Sequence, residues 1–248
     1  MAEKADITME EARALVANTA LWPRIRDFLW DFAPQIHRSW IEGLEFLESL
    51  EGLDNLDRPS ILGRPRVKRF VLSSLGVEPC FHAFPKGDWS RLLLLDGDTL
   101  VAIAKWLGAL VCADDLRRVM DGKAVRELKA DLAGVYPEVF MYTAYFKEWK
   151  SGKVEEWKSG KVEKWKSGKA EERKMSDVVA EIGCEMLFSA VSELPDCLVR
   201  RLALRLPNFQ ASPATPPSRG SDLPQFNFSA SLPRLLKLKF PEAYSLCC

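Results

Sequence analysis

The sequence is short of almost everything that catalysis needs. It holds two histidines, His37 and His82, in 248 residues. Neither stands in an HExxH context, so the common helical zinc-hydrolase arrangement is excluded. No serine or cysteine occupies a nucleophile-elbow sequence, and no GxGxxG or GxxxxGK[ST] loop is present. Nucleophilic, dinucleotide and P-loop chemistry therefore lack their usual signatures. Paired acids do occur, in the Asp96-Gly97-Asp98 run and at Asp114-Asp115. Standing near helix starts, they read as caps and dipole partners and not as metal ligands. His37, between a proline turn and Trp40, reads as a hydrogen-bonded structural residue. No catalytic, cofactor-binding or metal-binding residue is assigned, and neither a cofactor nor a small-molecule substrate is expected.

An excess of charge is missing too. Lys+Arg and Asp+Glu number 35 each, so the formal net charge is zero. Proteins that live on nucleic acid usually carry a basic surplus. Long apolar runs are also absent. The most apolar stretch, 92 to 113, is broken by Asp96, Asp98 and Lys105, whereas a membrane span needs about 20 largely uncharged residues. The N-terminus is acidic and amphipathic, without the basic-then-apolar order of a secretory signal. The expected compartment is the cytoplasm. Six cysteines, at 80, 112, 184, 197, 247 and 248, form no CxxC pair and have no histidine at zinc-ligand spacing. They read as free thiols, and the terminal doublet does not fit the common prenylation signal.

What the sequence does contain is helical periodicity. Hydrophobic residues make up 47% and charged residues 28% of the chain, a balance that builds a sizeable core. Thr8 and Glu11 stand at capping-box spacing before Met9, Ala12, Leu15 and Val16. Pro23 opens a short helix with Ile25, Phe28 and Leu29, which ends before Pro34. Ser39 is placed to cap a helix with Trp40, Leu44 and Leu47 on one face. Residues 52 to 65 read as a loop, followed by a helix through Val67, Phe70, Val71 and Leu75 that stops at Gly76. Capped by Asp98, the residues Leu100, Ile103, Ala104, Leu107, Leu110 and Val111 follow the i, i+3, i+4, i+7 pattern. Short helices are expected over Leu116 to Met120 and Val125 to Leu132. Ser176 to Glu193 carries a wide apolar stripe, and Pro195 starts a further helix with Leu198, Val199, Leu202 and Leu206. A Pro/Ser-rich loop is expected over 207–228, then a short helix broken at Pro241. No series of alternating strands appears. The expected fold is all-α: a single globular multi-helix domain over 1–248 with an inserted low-complexity repeat loop.

That repeat is the most unusual feature. Residues 148–171 are three tandem octads, EWKSGKVE, EWKSGKVE and KWKSGKAE. At about 100° per residue, eight residues overshoot whole turns by about 80°. Trp149, Trp157 and Trp165 would walk around a helix, and the Ser-Gly pairs oppose one. The segment therefore reads as a solvated, flexible insertion. Residues 147 to 174 hold ten Lys or Arg against six Glu. Tryptophan interleaved with lysine can stack on bases and pair with phosphates, or sit at a membrane interface. The alternative function is accordingly a nucleic-acid-binding or regulatory protein using this repeat, although the glutamates dilute the basic field it needs.

Three stretches point to a family. FAPQIHRSW (Phe32 to Trp40), LVAIAKWLGALVCADDLRRVMDG (Leu100 to Gly122) and LVRRLALRLP (Leu198 to Pro207), followed by Leu235 to Tyr244, keep their order along nearly the whole chain. Together they resemble the SctK (YscK/MxiK/OrgA-like) accessory proteins of bacterial type III secretion systems; the octad repeat departs from that pattern. The resemblance implies a non-enzymatic, cytoplasmic part of the sorting platform, held at the inner membrane through protein partners and not inserted in it. Those partners would be the inner-membrane ring protein (SctD-like) and the pod protein (SctQ-like), with no nucleic acid. Such a bridge needs two surface patches, and bound patches favour Trp, Tyr and Arg anchors. The partner-binding candidates are Trp40, Arg200, Arg201 and Arg205. Each has a plainer reading: Trp40 as a core residue, the arginines as a solvated helix face.

Overall fold

The computed structural model describes residues 21–42, 64–77, 89–149, 158–159, 162, 174–209 and 228–247. The first helix, Leu44, Leu47 and most of the 52–65 and 207–228 loops lie outside these residues. Ten α-helices are described: α1 (Trp22–Leu29), α2 (Arg38–Glu42), α3 (Pro65–Ser74), α4 (Gly97–Val111), α5 (Ala113–Arg117), α6 (Gly122–Asp131), α7 (Met175–Ala190), α8 (Asp196–Arg205), α9 (Phe228–Lys239) and α10 (Pro241–Cys247). Short 3-10 turns run over Ala33–Gln35, Ser90–Leu94, Glu138–Met141 and Thr143–Trp149. Among the described residues there is no strand, and the fold is all-α.

The core is built on α4 and α7, whose apolar stripes face each other. Leu100, Ile103, Leu107, Ile182, Met186 and Leu187 are completely enclosed. Two glycines let the backbones touch. A Cβ on Gly108 would collide with the Val179 carbonyl, and one on Gly183 with the Ala104 carbonyl. Small residues at a crossing bring helix axes close, and here each glycine is met by backbone and not by a side chain that could step aside. The cap of α4 is one turn-start earlier than expected. Asp96, not Asp98, accepts the Thr99 N–H at 2.8 Å and the Thr99 hydroxyl at 2.7 Å, because Gly97 is already helical. Likewise α2 begins at Arg38, just ahead of Ser39, and Pro65 opens α3 instead of closing a loop.

The C-terminal helices close the other side of α4. Lys239, the last residue of α9, places its ammonium 4.7 Å from the Trp106 ring centre and 4.3 Å from that of Tyr142, while bonding Glu138. Burial of the ammonium opposes its charge, but Glu138 and Tyr142 outweigh this and raise its pKa above the ordinary lysine value.

The repeat does not stay entirely in solvent. Lys158 and Val162, both in the second octad, are buried, and both are helical. The Lys158 ammonium pairs with Asp115 of α5 at 3.1 Å. The walk of the octads around a helix forbids a continuous stripe, yet it does not keep individual side chains such as Lys158 and Val162 from docking. The solvated reading therefore fails at Lys158 and Val162.

Candidate protein-interaction site

The four candidate anchors meet around α8, and the structure gives most of them internal work. Leu198, Arg201, Leu202 and Arg205 follow i, i+3, i+4, i+7 and are all buried on one face. The expectation of a solvated arginine face is thus corrected: Arg201 and Arg205 are only 3% and 4% exposed, and Arg200 is half-buried.

Each arginine reaches the carbonyl end of a different helical element. Such ends leave carbonyls without intrahelical partners and carry partial negative charge. Arg201 donates to the Phe28 carbonyl at 2.8 Å, near the end of α1, and lies over the Phe32 ring at 5.0 Å. Arg200 donates from Nε to the Leu75 carbonyl at 2.9 Å, at the end of α3. There Gly76, at φ +59°, completes a Schellman-type stop, with Gly76 N–H on Ser73 and Val77 N–H on Leu72. Arg205 donates to the Leu93 carbonyl at 2.6 Å and to that of Leu95, around the end of the Ser90–Leu94 turn. Burial pulls the Arg205 guanidinium down to about 10, with Asp96 acting in the opposite sense, so it remains charged at neutral pH.

The carbonyl end of α8 is tied down in turn. Trp40 is buried, and its indole N–H donates to the Leu206 carbonyl at 2.8 Å. The His37 N–H takes the Leu204 carbonyl at 2.7 Å, and Ser39 Oγ accepts the Asn208 N–H at 2.7 Å. His37 Nδ1 stands 2.9 Å from Ser39 Oγ, a structural role that matches the reading of this histidine. The four candidates therefore form one cluster that clasps α1, α2, α3 and the 90–94 turn together. In this conformation Trp40, Arg201 and Arg205 offer a partner almost no surface. The signal for this was in the sequence: the arginines fall in phase with Leu198 and Leu202 and not opposite them.

Beside the clasp lies an open cleft of about 660 Å³, lined by Arg24, Asp27, His37, Arg38, Asp96 and Arg205 among others. Its charges are mixed. Burial would raise the Asp96 pKa, but the Thr99 hydrogen bonds and Arg205 outweigh that and hold it below its ordinary value. Among the described residues no group of three metal-ligating side chains occurs. Cys112, Cys184 and Cys247 are buried and in no disulfide, and burial, with Glu185 and Glu181 nearby, pushes the Cys184 thiol well up. Such a thiol is a poor nucleophile. What the sequence reading missed is also at α1: Trp22 and Trp30 are exposed and in edge contact at 5.7 Å. Trp30 falls just beyond the Ile25, Phe28, Leu29 stripe, which is the signal that could have found it.

Among the described residues no helix is long and apolar enough to cross a membrane. In a comparison with family models, the family described as YOP proteins translocation protein K (YscK) matches residues 33–240. No curated protein and no solved structure matches the chain.

Proposed function

Since the chain belongs to the YscK family of type III secretion accessory proteins, we propose that it is a non-enzymatic adaptor of the sorting platform, joining the SctD-like inner-membrane ring protein to the SctQ-like pods. Family membership carries a role in type III secretion, and the bridging role is the finer reading built on it. The observation that supports it most is the family match over nearly all of the described core. The all-α body, clasped at α8, is a stiff carrier of the kind that two-sided binding needs, because tying two partners to one rigid body raises their effective concentration. Its place would be cytoplasmic, at the inner membrane through its partners.

The competing use of the octad repeat on nucleic acid is disfavoured by Lys158, whose ammonium is already committed to Asp115. The adaptor reading is tested by co-purification from cells carrying a type III system. Recovery of ring and pod proteins, with loss of secretion but retention of the membrane-embedded apparatus on deletion, is the expected result. Capture of neither protein by the wild type refutes the reading.

A further inference from the structure

The chain is neutral overall, but one part of its surface is not. Residues 64–74, which include all of α3, carry Arg64, Arg66, Lys68 and Arg69 and no acid. Lys68 turns inward to α1, donating to the Trp30 carbonyl at 3.3 Å and pairing with Asp31 at 2.6 Å. Arg64, Arg66 and Arg69 are exposed, and none of the three pairs with a described acid. The adjoining α1 adds exposed Arg24 and Arg26. Asp27, half-buried, is held by Arg26 at 2.8 Å. Across α1, its flank and α3, six cations thus stand against two carboxylates, both of them already paired.

Large aromatic rings lie within this basic field. Trp30 is 54% exposed and Trp22 38%, their rings packed edge to face at 62°. A solvent-facing tryptophan pair supported by arginines is the composition of an interface hot spot. The helix beneath is rigid, since Ile25, Phe28 and Leu29 anchor it in the core and Arg201 holds its carbonyl end.

We propose that the α1–α3 face is a docking surface for an acidic protein partner, whose apolar pocket receives the Trp22–Trp30 pair and whose carboxylates meet Arg66 and Arg69. The inference rests on the adaptor reading and supplies one of its two contacts. Charge complementarity selects the occupant: Arg64, Arg66 and Arg69, which pair with no acid among the described residues, attract an acidic surface and speed its approach. A protein fits better than a lipid surface. The apolar stripe of α1, Ile25, Phe28 and Leu29, points into the core, so this helix has no apolar side to lie among acyl chains. α1 precedes residue 33, where the family match begins.

The test titrates the full chain with three probes: the pod protein, the cytosolic domain of the ring protein, and vesicles containing phosphatidylglycerol. Wild type is compared with Trp30→Ala, with the double variant Arg66→Glu/Arg69→Glu, and with Lys123→Glu, an exposed control on α6. All the substituted side chains are exposed, and circular dichroism checks that folding is kept. The expected result is at least tenfold weaker binding to one of the two proteins in both face variants. The wild-type affinity for that protein should fall with added salt, and the control should bind normally. If both face variants bind both proteins as tightly as wild type, the docking surface is refuted and the adaptor reading survives. If the loss appears with vesicles alone, the surface is a lipid contact and the proposal is overturned. If the wild type binds neither protein, the adaptor reading fails, and this contact fails with it.

Discussion

Replacing Gly108 with alanine sets two physical expectations against each other. In an exposed helix interior the change is stabilising by about 1 kcal/mol, because alanine is the better helix former. At Gly108 the added Cβ would collide with the Val179 carbonyl oxygen and lie 2.8 Å from its carbon and 3.0 Å from the Gly183 nitrogen. Ordinary contact begins at 3.4 Å. The carbonyl carbon alone must retreat by 0.6 Å, and the oxygen by more. Neither helix can yield locally, since the obstacle is backbone on both sides, so α4 and α7 must separate. A gap of about 0.5–1 Å forfeits a quarter to a half of each dispersion contact across it, and this crossing is the most extensive helix pairing among the described residues. Overpacking of this kind costs about 1–3 kcal/mol and sometimes more; we expect about 3 kcal/mol for Gly108→Ala, a large part of the 5–15 kcal/mol that holds a typical domain together. Gly183→Ala meets the Ala104 carbonyl in the same way and is expected to match it. Urea unfolding followed by circular dichroism measures both. Gly122 is the control: a Cβ there meets nothing within 4 Å, and Gly122→Ala is expected to be neutral or to stabilise by about 0.4–1 kcal/mol. A Gly108→Ala protein as stable as wild type, with an unchanged slope in urea, would refute the close-crossing argument.

Three further outcomes follow from the clasp and the repeat. Arg205→Ala strands the Leu93 and Leu95 carbonyls, and at about 1–3 kcal/mol per buried unsatisfied group the loss in a urea titration is expected to be about 3–5 kcal/mol; Arg201→Glu and Arg205→Glu are expected to unfold instead of yielding folded non-binders. Lys158→Ala removes the ion pair to Asp115 and is expected to cost about 1–3 kcal/mol, given that Asp115 retains a little solvent; deletion of 148–171 is expected to lower the melting temperature by more than a few degrees, and an unchanged value would show that the second octad contributes nothing to the core. Asp96 has a folded pKa below its unfolded one, so its contribution is present above the unfolded value and is lost as pH falls through the folded value; Asp96→Asn keeps a good cap and is expected to make acid unfolding shallower, which a pH series at fixed urea would reveal.

The helical skeleton was readable because apolar spacing is a local property. Leu100 to Val111 and Val179 to Leu187 announce their buried faces without help from distant residues. Boundaries were less legible: whether Asp96 or Asp98 caps α4 depends on the path by which the chain arrives, not on either side chain. The arginines of α8 were misjudged because charge was weighted above phase. A guanidinium is buried readily when orphan carbonyls await it, and those carbonyls belong to residues 28, 75, 93 and 95, far off in sequence. Lys158 follows the same logic, since nothing within the octad indicates that Asp115 of α5 stands ready for it. The exposed Trp22–Trp30 pair was passed over for the opposite reason. A tryptophan next to a core stripe is ordinarily swallowed by it, and only the packing of α1 leaves these two outside.

The clasp also sets an order of events during synthesis. Arg201 binds a carbonyl 173 positions earlier in the chain, Arg200 one 125 earlier, and Arg205 one 112 earlier. A ribosome adding about 5–20 residues per second leaves roughly 6–35 seconds between the emergence of those carbonyls and the arrival of their arginines. Through that interval the carbonyls of Phe28, Leu75, Leu93 and Leu95 wait for their guanidinium donors. α4 likewise waits for α7 before its apolar stripe can be covered. Folding of this protein is consequently completed after translation of α8, and a chain stalled before residue 196 lacks the three arginines that clasp its N-terminal helices.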